Sequence, residues 1–422
     1  MGKNKTNKNR TNKKRFIPNE CTNKMSFDEC ELAILRQAVD TNEKIAGQKI
    51  ASSDEIKNMI EIVEDFLKSK RLLCYGGTAI NNILPKHAQF YNKDYEVPDY
   101  DFYSPNALDD AKELADIYYK EGYEQVEAKA GVHEGTFKVF VNFIPMADIT
   151  SIHKELFDSL YKESISVANI KYVPANFLRM GMYLELSRPA GDTSRWEKVL
   201  KRLNLLNKYH PMKIKYNCES VDFLRKMDNA KYEAEKLHLI IRDTFIDLGV
   251  VFFGGYAASL YGRNMPDKER RFVEKIPDFD VLSEKPKEDA VIVQERLKDA
   301  GFKNVELVNH KEIGEIIPEH IEIRIKNEVL GFIYKPIACH NYNTIKIQDK
   351  QINVATIDTI MSFYLAFTYV DSGYYFLDRI LCMSKYLFDL EQKTRLSQRG
   401  LLKRFGPKCI GKQETMENIR SK

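Results

Sequence analysis

A chain of 422 residues exceeds what one ordinary hydrophobic core holds and points to two domains or three. Its 43% apolar and 30% charged residues suit a soluble globular protein, no apolar run is long enough for a membrane-spanning helix, and the opening MGKNKTNKNRTNKKRF lacks the apolar stretch of a secretory signal. Seven cysteines, odd in number and without a C-x-x-C pair, exclude a disulfide framework and a zinc spacing, so they read as reduced thiols in an intracellular protein.

In chain order, residues 1–25 read as a basic, disordered tail: residues 1–15 carry Lys and Arg and no acid, which suits either polyanion contact or solubility. Ile56, Met59, Ile60, Val63 and Leu67 recur at helical spacing, with Ser52 or Ser53 placed to cap and Asp54 and Glu55 in the first turn. Leu72–Tyr75 reads as a short buried strand, and Gly76-Gly77-Thr78 follows it into a second helix. Asp99 and Asp101 alternate on the next strand. A helix over roughly 106–120 ends at Gly122-Tyr123, and TFKVFVNFIPMADIT reads as a third strand ending at Asp148. Past Asp192, Thr193 or Ser194 as cap, a helix carries Arg195, Trp196, Lys198, Lys201 and Arg202, with Leu200, Leu203 and Leu206 facing inward.

The same order then recurs. EIVEDFLKSKRLLCYGGTAINNIL from Glu61 is answered by HLIIRDTFIDLGVVFFGGYAASLY from His238, and PDYDFYSPNALDDA from Pro98 by PDFDVLSEKPKEDA from Pro277. The pattern predicts a mixed α/β (α+β) plan used twice, each copy a small mixed sheet flanked by helices. The boundaries read as 26–210 for the first copy, 211–390 for the second, and 391–422 for a basic C-terminal extension.

Asp99 and Asp101, two apart on a strand, project from one face, while Tyr100 and Phe102 point to the other. Two carboxylates held close repel unless one is protonated or a cation lies between them, and a hard divalent cation suits oxygen ligands. With Asp148 as a third carboxylate, the set fits two Mg²⁺ ions and in-line phosphoryl or nucleotidyl transfer. Gly76 and Gly77 let a phosphate chain approach the backbone, Thr78 adds a hydroxyl, and the helix start favours an anion. Arg195 and Lys198 would neutralise a triphosphate. Alone, a Gly-Gly is a tight turn, a D-x-D is a loop mouth, and the basic helix is a solvated face. The order strand, Gly-Gly, helix, D-x-D, third carboxylate favours a nucleotidyltransferase site. Trp196 would either stack on a base or be buried.

The second copy keeps Gly254, Gly255, Asp278 and Asp280. Pairing Pro145-Met-Ala-Asp148 with Pro336-Ile-Ala-Cys339 puts a thiol, a poor Mg²⁺ ligand, at the third carboxylate, and so predicts a degenerate copy. An alternative puts Glu322 on the third strand and restores the trio.

Tyr75-Gly76-Gly77, Asp99-Tyr100-Asp101-Phe102 and Asp148 resemble the signature of the polymerase-beta-like nucleotidyltransferases. YGGTAINNILP, PDYDFYS, SRWEKVLKRLNLLN and the tandem second domain resemble the poly(A) polymerase catalytic subunits of large DNA viruses, of the poxvirus and giant-virus type, over roughly residues 30–420. The resemblance implies adenylate addition from ATP to RNA 3′ ends with Mg²⁺ or Mn²⁺. It implies self-association or pairing with a cap methyltransferase subunit, no membrane, and residence in cytoplasmic viral factories or the virion. The alternatives are a CCA-adding, uridylyl or oligoadenylate enzyme, or a noncatalytic RNA-binding protein with two dead nucleotidyltransferase folds.

Overall fold

A computed structural model describes residues 20–22, 24–51, 53–92, 96–212, 214–221, 231–273, 279–314, 316–326, 328–370 and 375–414. The basic residues 1–15 and Asp278 lie outside these. The chain divides into two compact units, residues 1–61 with 91–98, and residues 62–90 with 99–422. The first unit holds helix α1 (Phe27–Ala51) and the opening turns of α2 (Asp54–Ser69). A capping box starts α1: the Ser26 N–H donates to Glu29 Oε2 at 2.7 Å, and the Glu29 N–H donates to Ser26 Oγ at 3.3 Å.

The second unit contains both sheets. The first copy runs β1 (Leu73–Tyr75), α3 (Gly76–Ile83), β2 (Tyr100–Ser104), α4 (Ala107–Lys120), β3 (Val126–Ala130), β4 (Thr136–Val141), β5 (Ile144–Ser151), α5 (Lys154–Lys162), β6 (Ile165–Val167), β7 (Ile170–Tyr172), α6 (Ala175–Leu186) and α7 (Trp196–Tyr209). The second copy runs α8 (Lys231–Leu248), β8 (Val251–Phe252), α9 (Gly255–Gly262), α10 (Asp267–Val273), β9 (Phe279–Leu282), α11 (Pro286–Asp299), β10 (Val305–His310), β11 (His320–Ile325), β12 (Glu328–Tyr334), β13 (His340–Ile347) and β14 (Lys350–Ala355). Helices α12 (Ile357–Phe367) and α13 (Leu377–Thr394) and a short β15 (Cys409–Ile410) follow. No helix among the described residues is long and apolar enough to cross a membrane.

Among the described residues the strand orders are β3-β4-β5-β2-β1-β7-β6 and β10-β11-β12-β9-β8-β14-β13-β15. The two sheets are the same mixed arrangement, with β15 added at one edge. The duplication extends to single hydrogen bonds. Ser104 Oγ donates to Asp110 and accepts from the Asn106 N–H at 2.8 Å; Ser283 Oγ donates to Asp289 Oδ2 at 2.5 Å and accepts from the Lys285 N–H at 2.9 Å. Helices α4 and α11 both end in a left-handed glycine, Gly122 at φ +96 and Gly301 at φ +95.

Two expectations are corrected here. The third strand of the first copy is a hairpin: the chain reverses at Asn142 (φ 49) and Phe143 (φ 65), and β5 runs on through Asp148 to Ser151. Two successive residues in the left-handed region make the tight reversal whose twist matches the strands. The thiols are also not all separate. Among the described residues Cys21 pairs with Cys30, Cys218 with Cys382 and Cys339 with Cys409, at Cα separations of 5.1, 5.5 and 5.2 Å, and only Cys74 stands alone, buried. Two of these pairs join residues far apart in the chain, which spacing does not reveal.

Every residue of α12 is buried, and it packs on α6 of the first copy and on α13. Buried charge ties this region together. Arg404, in the C-terminal stretch, donates to Asp358 of α12 (Nε to Oδ2, 2.8 Å) and to Glu391 of α13 (2.7 Å), and Tyr183 of α6 donates to Glu391 at 2.5 Å. Burial pushes the Glu391 carboxyl up, against the pull of Arg404. The stretch after α13 is therefore packed at Arg404 and pinned by β15 against β13.

Candidate active site

The glycine turn and two of the acids meet through sheet register. β1 and β2 are antiparallel, with Tyr75 opposite Asp101; β2 and β5 are parallel, with Asp101 opposite Asp148. Adjacent strands lie about 4.8 Å apart, so Asp101 sits between the glycine turn and Asp148. Asp99 lies just before β2, on the same face as Asp101. The apolar face of β2 holds it in place: Tyr100 and Phe102 are buried, and Tyr100 donates to Glu64 Oε1 of α2 at 2.5 Å.

Gly76 opens α3 at φ +72, and a Cβ built there would lie 2.2 Å from Asp101 Oδ2. Both the left-handed backbone and the carboxylate demand glycine. Gly76→Ala is therefore expected to push Asp101 aside and lower activity by more than about tenfold, while costing about 1–2 kcal/mol in stability; denaturant melts beside initial-rate assays separate the two effects. Thr78 is buried, and its hydroxyl donates to the Asp99 carbonyl at 2.5 Å. It fastens the glycine turn to the strand that carries the acids. Gly77 lies in the first turn of α3.

Asp99 is exposed as a residue, yet partial desolvation of its carboxyl, then the Asp148 charge, raises its pKa, against Lys138 and Lys198. Burial, then Asp99 and Asp148, pushes Asp101 up to about 7, against Lys138 and Arg195. Arg195 and Lys198, in the turn preceding α7 and in its first turn, thus reach the field of the acids, while Arg195 also pairs with Glu185 at 3.1 Å. Asp192 caps this segment by accepting from the Ser194 N–H at 3.2 Å. Trp196 is half-buried and donates to the Glu185 carbonyl at 3.0 Å. Arg202 lies over the Phe90 ring at 4.9 Å, and Lys201 pairs with Glu197.

The raised Asp101 has a stability consequence. Its folded pKa lies above its unfolded value near 3.8, so its stabilising contribution is complete below pH 3.8 and disappears as pH rises through about 7. Asp101→Asn should raise the melting temperature in EDTA above pH 7 and leave it unchanged near pH 3.8; a melting series across pH checks this.

The residue that sequence reasoning missed is Lys138. On β4 it stands opposite Asp148 in register, and its ammonium forms an ion pair with Asp148 Oδ2. Its alternation in TFKVFV was the only signal, and it needed the hairpin to be read as two strands. The other Asp148 oxygen, Oδ1, is buried without a hydrogen-bond partner. As the side chains stand, no group of three or more His, Cys, Asp or Glu among the described residues is arranged to hold a metal ion.

The second copy preserves the glycine turn: a Cβ on Gly254 would lie 1.9 Å from Asp280 Oδ2. Opposite Asp280, however, stands Phe332. This corrects both sequence assignments of the third carboxylate. Cys339 lies beyond β12 and pairs with Cys409, and Glu322 lies on β11, opposite Phe332, where it meets His310 Nε2 at 2.7 Å. The copies differ by 179 residues at Asp101 and Asp280 but by 184 at Asp148 and Phe332, because the β10–β11 connection is longer than that of β3–β4.

The chain thus builds a mixed sheet with a glycine turn beside an acidic strand twice over, in tandem. Residues 61–192 match the family model of the poly(A) polymerase catalytic subunit, so the resemblance read from the motifs holds over that stretch. A putative poly(A) polymerase catalytic subunit of African swine fever virus (isolate Tick/Malawi/Lil 20-1/1983) is 33% identical over 176 residues, 40% of this chain and 37% of that protein. The corresponding protein of Acanthamoeba polyphaga mimivirus is 31% identical over 179 residues, 41% of this chain and 29% of that one. The matches thus span 37% and 29% of these relatives' own lengths. The crystal structure of the Megavirus polyadenylate synthase shares the fold, with a TM-score of 0.78 at 19% identity over 92% of this chain and 81% of that one.

Proposed function

We propose that the chain is a template-independent poly(A) polymerase that adds adenylate from ATP to RNA 3′ ends, with the chemistry confined to the first copy. The observation that carries this is the shared register of the glycine turn, Asp101 and Asp148 on three adjacent strands, next to Asp99. The donor set suits hard divalent cations: Asp99, Asp101 and Asp148 lie within one another's electrostatic reach, two of them with raised pKa, and Asp148 keeps a buried acceptor oxygen unused. Mg²⁺ or Mn²⁺ held by Asp99, Asp101 and Asp148 would acidify the attacking 3′-hydroxyl and neutralise the leaving pyrophosphate.

The chain's own groups do the rest. Gly76 and Gly77 allow the triphosphate to approach the backbone at the start of α3, where free N–H groups face an anion. Arg195 and Lys198 supply positive charge from the α7 side, and Glu185 holds Arg195 in place. As the 3′-oxygen bonds to the α-phosphorus and the bond to pyrophosphate breaks, Asp148 takes the hydroxyl proton. In the second copy Phe332 removes the third carboxylate, which suits a scaffolding or RNA-binding role. The division near residue 210 and polyanion contact by the basic ends belong to the same proposal and rest on the repeat and on the charge layout of the sequence; association with a second copy or a cap methyltransferase subunit, and residence in viral factories or the virion, rest on the resemblance.

The choice of base is tested by offering the purified chain each nucleoside triphosphate singly with a short labelled RNA. ATP should give long tails and the others little extension. Preferential use of UTP, or addition that stops after a fixed CCA, would replace poly(A) synthesis with another terminal transfer.

A further inference from the structure

Resting on that reading, we propose that Lys138 is a built-in counter-cation of the acidic trio, which holds Asp148 in the resting chain and yields it when a divalent cation binds.

Four observations support this. Lys138 faces Asp148 across the β4–β5 ladder, and their ion pair takes up one Asp148 oxygen while the other stays buried and unpartnered. The lysine side chain is 33% exposed and that of Asp148 15%, so the pair sits at the mouth of the site, where a four-carbon stem can swing its ammonium outward. The described side chains present no ready-made group of three metal ligands, and Asp148, one of the three acids, is held by lysine.

The fourth observation comes from the duplication. In the second copy the position of Asp148 is Phe332 and that of Lys138 is Glu322, although the glycine and aspartate beside them, Gly254 and Asp280, remain. Lysine and carboxylate have gone together. A lysine that served only the sheet would have no reason to follow the acid, and Glu322 has turned to His310 instead. A divalent cation must therefore outcompete Lys138 for Asp148.

The test uses Mn²⁺ alone, titrated into the full chain without nucleotide or RNA and followed by the loss of the free-ion electron paramagnetic resonance signal. Lys138→Met should bind Mn²⁺ about tenfold more tightly than the unaltered chain, because its competitor is gone. Lys138→Arg, which keeps the charge, should bind as the unaltered chain does, and Asp148→Asn should bind least. In EDTA, Lys138→Met should also melt at a lower temperature, with Mn²⁺ restoring it. Should Lys138→Met fail to fold, Lys138→Gln keeps a donor without the charge and should show the same tightening. Folded Lys138→Met or Lys138→Gln that binds Mn²⁺ no more tightly than the unaltered chain overturns the inference, and poly(A) synthesis by the unaltered chain in the same preparation shows that the functional reading survives it. Absence of Mn²⁺ binding by every variant and of RNA extension by the unaltered chain brings down both.

Discussion

Asp148→Asn is expected to leave the fold intact and to reduce 3′ extension of RNA by roughly a thousandfold or more. Asparagine keeps the shape of the side chain on β5 but removes the negative charge that adjoins Asp101 and pairs with Lys138. Proton acceptance and cation binding both depend on that charge, so the loss should fall on kcat and not on the KM for RNA. Asp101→Asn should act similarly, since Asp101 lies between the glycine turn and Asp148. Asp280→Asn is the informative control. It removes the matching acid from a copy where Phe332 already occupies the third position, and activity should be little changed. Rapid-quench turnover with circular dichroism on the same samples checks all three. Comparable losses from Asp101→Asn and Asp280→Asn would place chemistry in both copies.

The largest expected effect on stability lies at Arg404. Its guanidinium serves Asp358 and Glu391, and all three residues are buried. Arg404→Ala would strand two buried carboxylates and leave a cavity, at a cost of about 3–5 kcal/mol. Denaturant unfolding should show this as a lowered midpoint with the slope retained. The double variant with Asp358→Ala should lose much less than the sum of the two single losses, because the partners share one interaction. Additive losses would show that Arg404 acts through packing alone.

The sequence made much of this legible, for identifiable reasons. The end of helix α4 is legible in the sequence because Gly122, at positive φ, closes it, and such a glycine marks its own position. The acid pair was legible because alternation on a strand assigns faces without knowledge of the neighbours. The hairpin of β4 and β5 was missed because its turn is Asn142-Phe143, with no glycine or proline to mark it. Lys138 is illegible for the same reason, since its meaning depends on facing Asp148 from a separate strand. The second-copy counterpart of Asp148 is hidden in the sequence because the β10–β11 connection is longer than the β3–β4 one; strand pairing puts Phe332 opposite Asp280. The cysteine pairs and the buried network of Tyr183, Asp358, Glu391 and Arg404 join positions far apart in the chain, which no local pattern records.

The most direct measurement counts pyrophosphate released against adenylates added when the full chain meets an RNA 3′ end, ATP and Mg²⁺, with and without EDTA. One pyrophosphate per adenylate, and no reaction in EDTA, is the expected result. Tail growth that continues undiminished in EDTA, or an RNA end left unextended under every condition, would contradict nucleotidyl transfer at Asp99, Asp101 and Asp148.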